Sequence, residues 1–398
     1  MTPRSLPRPA AFWLLAAVSA TFLAASAAPS PLYVVFQAEW GFSPTTLTAV
    51  FAVYALALLA ALLTAGALSD HVGRRPVIAG ALLVEIAAMA VFAGAQDVGW
   101  LFAARIVQGL ATGAATGALA AALIDLHPPR GALFNTLAPT AGLAAGALGS
   151  GLLVQFGPHP TSLVFVILAS AFAVFLLALA AVPETTARRP GALASLRPSA
   201  AVPAHARPTF ATLVPALTAT WALGGLYLSL GPSLAARVLD VHNHVAGGLV
   251  VTALAGSASL ASFAARGVEP RRAMITSTLA LALGVAVSLV ALETESIPLF
   301  YAGAAIAGAG FGPAFLSAIR LLAALAEPAE RAALLSVVYV LSYLAFSIPA
   351  VIAGLVVTSA GLRPTAVVYG AVVIALATSA AAGFALQGRR ALDLSPSH

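Results

Sequence analysis

Apolar stretches of about 20 residues, nearly all free of charge, recur from end to end of the chain. At 1.5 Å per residue, a helix of that length crosses the hydrocarbon core of a bilayer. Twelve such spans are predicted, at residues 10–36, 45–66, 76–95, 99–124, 132–156, 161–182, 209–231, 244–265, 272–292, 298–323, 332–357 and 364–387. Most connections are short. The exception is residues 183–208, a stretch rich in Pro, Ala and Arg that lacks apolar periodicity and reads as a solvated linker between two six-span halves, 1–182 and 209–398. A faint repeat supports that division: "GRRPVI" at 73–78 enters the third span and "PRRAMI" at 270–275 enters the ninth. The expected fold class is therefore all-α and integral to the membrane, with twelve transmembrane helices arranged as two pseudo-symmetric bundles.

Composition agrees with that pattern. The chain has 398 residues, 61% of them hydrophobic and only 8% charged, against about 25% charged residues in soluble domains. A water-soluble fold would need more polar surface than this sequence supplies, so its exterior must face lipid. Arg4 and Arg8, followed by an apolar run and Ala25-Ser26-Ala27, also describe a cleavable signal peptide. The run continues to Phe36, however, and its removal would leave five spans facing six, so the first span is read as retained.

Charge sets orientation. Every basic position is arginine, as in GC-rich bacterial coding, and arginines in short loops are held on the cytoplasmic side. With the N-terminus inside, that side receives Arg4, Arg8, Arg74, Arg75, Arg130, Arg188, Arg189, Arg197, Arg207, Arg266, Arg271, Arg272, Arg320, Arg331, Arg389 and Arg390, whereas the other receives only Arg237 and Arg363. Both termini are thus expected in the cytoplasm of a bacterial cell, with Trp40 and Trp100 at the outer boundary. The net charge of +6 reports topology, because no basic stripe interleaved with aromatics suggests nucleic acid. The chain has no cysteine, which removes disulfides, thiolate metal sites and cysteine nucleophiles. His242 and His244, two apart in a short polar loop, read as an interfacial turn rather than a metal site. No cofactor is expected.

Several motifs remain. Between spans 2 and 3 lies "GALSDHVGRRPV", carrying Gly66, Asp70, Gly73, Arg74, Arg75 and Pro76. Gly66 permits close helix approach, Gly73 a sharp turn, and Asp70 an ion pair with arginine. In span 4, Arg105, Gln108 and Gly109 sit in an apolar run, where an arginine costs about 2.5 kcal/mol or more unless it faces a cavity or partner. At the far end of that span, Asp125 is placed to meet Arg74, Arg75 or Arg130. Glu85 is the one carboxylate near a predicted midplane, able either to carry a proton or to rest bonded to a neighbouring helix. Span 5 contains Gly142, Gly146, Gly149 and Gly151, and span 10 contains Gly308, Gly310, Gly312 and Pro313, where the proline is expected to kink the helix.

The loop and span 4 resemble two signatures of the major facilitator superfamily, in which a glycine, an aspartate and paired basic residues join helices 2 and 3. The resemblance implies secondary transport by alternating access. It makes Gly66, Asp70, Gly73, Arg74 and Arg75 a gating loop, which Asp125 is placed to latch, and Arg105 with Gln108 a coupling or substrate site. Glu85 joins them as a coupling candidate by its midplane position alone, since helix 3 is peripheral to the cavity in the family fold. His71 stands where the family usually has a basic residue after the aspartate. Span 5 resembles the antiporter signature, but Ala147 replaces its proline and Ser150 a later glycine. The family's central cavity implies Tyr33, Tyr54, Asn135, Trp221, Tyr227, Ser233, Tyr339 and Tyr343 as cavity candidates. A cavity with so few charges suits amphiphilic or weakly polar solutes better than phosphorylated ones. The expected partners are a small-molecule substrate, protons and the lipid bilayer, with the protein a monomer. Proton-coupled efflux is the leading expectation and proton-coupled uptake the alternative.

Two other classes lack their parts. A non-transporting sensor should carry a sizeable soluble output domain, and an intramembrane enzyme convergent acids, histidines or metal ligands within the spans. No nucleotide-binding loop or nucleophile with an adjacent base is present.

The cysteine-free background makes the topology directly testable. A single cysteine replacing Ser195 should resist a membrane-impermeant maleimide in intact cells, and one replacing Thr294 should react. The reverse pattern would invert the orientation.

Overall fold

The computed structural model describes residues 5–241, 243–327 and 330–393, with 388–393 described by backbone alone. Arg4 and His242 therefore lie outside the described residues. Helices α1 (Arg8–Ala27) and α2 (Pro29–Trp40) follow one another as a single apolar rod broken at Ala28. The break falls where Pro29 and Pro31 supply no backbone N–H. Then come α3 (Pro44–Ala65), the single turn α4 (Ser69–Val72), α5 (Arg74–Ala93), α6 (Val98–Leu126), α7 (Pro128–Phe156) and α8 (Leu163–Leu179). After an irregular stretch follow α9 (Arg207–Ser229), α10 (Gly231–Arg237), α11 (His244–Ala264), α12 (Pro270–Glu293), α13 (Ile297–Leu325), α14 (Arg331–Ala360) and α15 (Leu362–Asp393).

Among the described residues, 11 helical segments are long and apolar enough to cross a membrane. The remaining expected span, the sixth at 161–182, forms a shorter helix, the 17 residues of α8. It is trimmed at its start by Gly157, Pro158 and Pro160 and by a left-handed His159 at φ 49°, which hold the chain in turns up to Ser162.

Caps explain where several helices begin. Ser43 accepts the Thr46 amide at 3.1 Å, and Asp97 accepts those of Gly99 and Trp100 at 2.7 and 3.2 Å. Glu269 accepts the amides of Arg271 and Arg272, each at 2.8 Å. Those backbone bonds hold its carboxyl below the usual carboxylate range. The cap is therefore present above that range and lost as pH falls through the lowered value.

Packing follows small residues. Along α6, Gly109, Gly113 and Gly117 recur every fourth position and press on the backbone of α3 and the Gly66 that follows it. A Cβ on Gly113 would lie 2.8 Å from the Ala61 methyl and 3.0 Å from the Leu62 nitrogen. Gly142 and Gly146 of α7 press in the same way on Ala20 and Ala24 of α1, whereas Gly151 meets His244 and Gly248 of α11. In α13, Gly308 and Gly312 meet α11 and Gly310 meets α12, with Pro313 inside the continuous helix. One apolar core draws its buried residues from positions 11–182. Two others draw theirs from 219–377 and 213–384.

Between those groups, α7 lies along α11 and α3 along α14. Thr252 donates to the Ala144 carbonyl at 3.0 Å and Ser259 to that of Leu137 at 3.3 Å. At the face opposite the arginine-rich loops, Arg237 donates to Gln37 at 2.6 Å, the His244 amide to Gln155 at 3.0 Å, and Thr45 to the Gly354 carbonyl at 2.9 Å. Those bonds tie the two groups of helices together at that face.

The α3–α6 contact leaves no room for a side chain at Gly113. Gly113→Ala should cost about 1–3 kcal/mol through forced helix separation, read as a lower thermal midpoint in detergent. Gly149→Ala, with nothing within 4 Å of the added carbon, should leave the midpoint unchanged or slightly raised.

Candidate functional site

The glycine stripe of α6 has a chemical consequence, because the close α3–α6 approach brings Phe51 and Tyr54 against Arg105. Arg105 is completely buried, as are Gln108 one turn on and Glu85 of α5. The guanidinium donates from Nε to the Tyr33 hydroxyl at 2.7 Å, and from Nη1 to the Ser26 carbonyl at 2.9 Å and to Gln108 Oε1 at 2.7 Å. Gln108 Nε2 in turn donates to Glu85 Oε1 at 3.2 Å. The rings of Tyr54, Phe51, Tyr33 and Phe92 lie 4.9, 5.1, 5.5 and 5.7 Å from the guanidinium carbon. Such cation–π contacts contribute about 0.5–2 kcal/mol each, more when desolvated, and offset part of the burial cost. Two polar atoms of the network, Arg105 Nη2 and Glu85 Oε2, have no partner among the described residues.

Local structure explains the carbonyl ligand. Ser26 lies in the last turn of α1, beside the proline break where helical donors run out. The same break explains Ser150. Its hydroxyl donates to the Ala28 carbonyl at 2.6 Å, so the departure from glycine in span 5 supplies a donor at the interrupted turn.

A second cluster forms at the arginine-rich face. Arg74 pairs with Asp70, donates to Ser69 at 2.7 Å, and reaches Asp125 of α6 at 3.2 Å. The Asp125 carboxylate also accepts from the Thr185 hydroxyl at 2.9 Å, and its backbone carbonyl lies 3.4 Å from Arg8. Glu184 accepts the backbone amides of Arg74 at 2.8 Å and Arg75 at 3.1 Å, so it caps α5 from a distant part of the chain. Gly73 makes this possible in two ways. Its φ of 102° favours glycine, and a Cβ there would sit 2.7 Å from the Glu184 carboxylate. The Arg75 side chain donates to the Ala180 carbonyl at 2.8 Å, and the His71 ring contacts the Pro190 carbonyl at 2.9 Å.

The aromatic candidates divide. Trp221 of α9 stands 4.9 Å from Tyr343 and 5.4 Å from Phe315, and Tyr339 stacks 6.4 Å from Tyr343. Tyr54, from the first group of helices, lies within electrostatic reach of Tyr343. The Trp221 indole nitrogen has no partner among the described residues, and the Tyr54 ring also lies against Arg105. Tyr33 belongs to the arginine network. The other three stand apart: Tyr227 bonds Ser288 at 2.6 Å between α9 and α12, Asn135 donates to the Ala120 carbonyl at 3.1 Å, and Ser233 is buried within α10.

Sequence reasoning missed Glu184 and Thr185, which it treated as linker, and missed Phe51, Phe92 and the Ser26 carbonyl. The "PETT" that follows span 6 carried a weak signal, an acid beside a helix end at the arginine-rich face. The aromatic partners carried none, being ordinary apolar residues in apolar helices. Among the described residues, no group of His, Cys, Asp and Glu is placed to hold a metal.

The two helices that begin with paired arginines are thus capped differently, α12 by its own Glu269 and α5 by Glu184 across the fold. Glu184→Ala should cost about 1 kcal/mol and raise amide hydrogen exchange at the start of α5 while leaving α12 protected. Unchanged exchange at Arg74 and Arg75 would contradict the capping role.

A family model described as the Major Facilitator Superfamily matches residues 12–268. Among solved structures, the nucleoside transporter NupG is 14% identical, with 94% of this chain and 100% of that one covered and a TM-score of 0.71. A bacterial homologue of the human lysosomal transporter Spinster is also 14% identical, with 95% and 97% covered and a TM-score of 0.75. A human organic anion transporter is 18% identical, with 94% and 100% covered and a TM-score of 0.67. Identities this low show likeness of fold, and all three proteins are transporters rather than enzymes. Since the family match takes in well over half of a chain whose helices pack in the same arrangement, the chain belongs to the Major Facilitator Superfamily.

Proposed function

We propose that this protein is a proton-coupled secondary transporter that exports a small, weakly polar or amphiphilic solute by alternating access. In this reading α8 is the sixth of twelve crossings, since an apolar helix of 17 residues lies at the short end of the range for a spanning helix. Residues 1–182 and 209–398 form the two rocking bundles, 183–208 is their linker, and the monomer sits in a bacterial cytoplasmic membrane with both termini inside. The separate apolar cores support that division. So does the pairing of α7 with α11 and of α3 with α14, because a six-helix shift converts one contact into the other.

The observation that carries the proposal is the buried chain Glu85–Gln108–Arg105–Tyr33, with an unpaired atom on each charged member. A proton on Glu85 leaves Arg105 the only charge of the network. Its departure supplies a compensating charge that Arg105 feels through Gln108. The change reaches α2, where Tyr33 and Gln37 lie one turn apart, and Gln37 holds Arg237 at the face opposite the arginine-rich loops. Proton occupancy and closure are thereby linked by one helix. Tyr54, Trp221, Tyr339 and Tyr343 form the solute wall in this reading. Asp70, Arg74, Asp125 and Glu184 brace the arginine-rich ends of the helices that move.

Reconstituted protein should produce a solute-dependent pH change with some member of a panel of dyes, antibiotics and sugars. Arg105→Ala and Glu85→Gln should reduce that change at least tenfold, and Glu85→Gln should retain solute counterflow. Solute movement without proton movement in the unmodified protein would rule out proton coupling. Net accumulation down the panel only with inward proton flow in symport would reverse the direction to uptake.

A further inference from the structure

The arginine-rich face carries an open groove of about 500 Å³ between α5 and α8, outside both clusters that the transport reading uses for solute and proton. Its walls are Pro76, Ala79, Leu176 and Leu179, and its rim carries Arg75, Glu184 and Arg188. That volume is in the range of sites for small molecules, about 300–1,000 Å³. Below the rim, α5 and α8 present apolar side chains outward, with Leu83, Val174 and Leu177 exposed by 56%, 62% and 77%. The groove is therefore basic where the helices leave the bilayer and apolar where they enter it.

We infer that this groove binds an anionic phospholipid, its phosphodiester held by Arg75 and Arg188 and its acyl chains lying along α5 and α8. The inference rests on α8 lying in the bilayer. The charge balance favours an anion despite Glu184. Both oxygens of that carboxylate are taken by backbone amides, of Arg74 and Thr185 on one and of Arg75 on the other, at the positive end of a helix. Arg75 commits one terminal nitrogen to the Ala180 carbonyl, which fixes the guanidinium at the rim and leaves the rest of its fork for a phosphate. Arg188 is exposed beside it. A choline or ethanolamine headgroup finds nothing comparable, because the lining has neither an aromatic face nor a free acceptor for an ammonium. Basic pockets between transmembrane helices recognise anionic lipids by this chemistry. The site also has a structural effect: lipid on Arg75 and Arg188 would bridge the start of α5 to the segment that follows α8, the junction that Glu184 already caps.

Native mass spectrometry of the full chain, offered equal phosphatidylglycerol and phosphatidylcholine, tests the proposal without reference to transport. Phosphatidylglycerol should be retained preferentially, and millimolar inorganic phosphate should not displace it. Arg188→Gln should weaken retention about fivefold, equivalent to about 1 kcal/mol, with its unfolding in phosphatidylcholine alone unchanged. Equal retention of the two lipids, no effect of Arg188→Gln, or displacement by phosphate would each overturn it, the last by making this a site for a soluble anion. A headgroup-photoreactive phosphatidylglycerol on the unmodified protein gives an answer that needs no variant. Labelling within 174–190 supports the site, and labelling only elsewhere refutes it.

Discussion

A guanidinium with no exposed surface in the middle of an apolar helix is the constraint around which the first half of this protein is organised. Left without partners in the bilayer, Arg105 would be among the costliest groups in the chain. It is satisfied by a phenol, a carbonyl and an amide from three different positions, and by four aromatic rings. Each of those contacts requires a particular helix at a particular distance. The glycines of α6 admit α3, the proline break presents the Ser26 carbonyl, and α2 brings Tyr33.

The arginine-rich face solves a related problem with exposed groups. Arg74 ties the α4–α5 turn to α6, and Glu184 ties the chain leaving α8 back to α5, so four helix ends are joined by carboxylates and amides rather than by apolar burial. Individually such surface contacts contribute little. Together they fix the relative positions of ends that would otherwise depend on loops alone. The second half has the same paired arginines but a local acid, Glu269, and so needs no distant cap. The starts of α5 and α12, alike in their paired arginines, are therefore held by different acids.

Much of the fold was legible because lipid imposes a simple rule. Backbone groups in hydrocarbon must be satisfied within the helix, so each crossing is written as a long apolar run. The limits of that rule appear at 161–182, where Pro158 and Pro160 act on the geometry more than hydropathy reveals, and at Ala28, where one apolar run holds two helices. Of the site, Arg105, Gln108 and Glu85 stood out because polar groups in apolar runs demand partners. Those partners did not stand out. Phe51 and Phe92 differ in no local way from lipid-facing residues, and only helix register brings them to the guanidinium, whereas Tyr33 was expected at the cavity and instead bonds Arg105. Glu184 was hidden for another reason: 110 positions separate it from the Arg74 amide it caps. Tyr227 shows the converse, an aromatic residue on a span expected to line the cavity whose hydroxyl turns to Ser288 instead.

The central claim is that Glu85 and Arg105 sense one another's charge through Gln108, and a double-mutant cycle measures that directly. Unfolding free energies would be compared for the unmodified protein, Glu85→Gln, Arg105→Met and the pair. A coupling energy of about 0.5–3 kcal/mol, the range for residues in one network, is the predicted result. Additive effects would mean that two buried polar groups share a helix bundle without communicating, and would contradict the account.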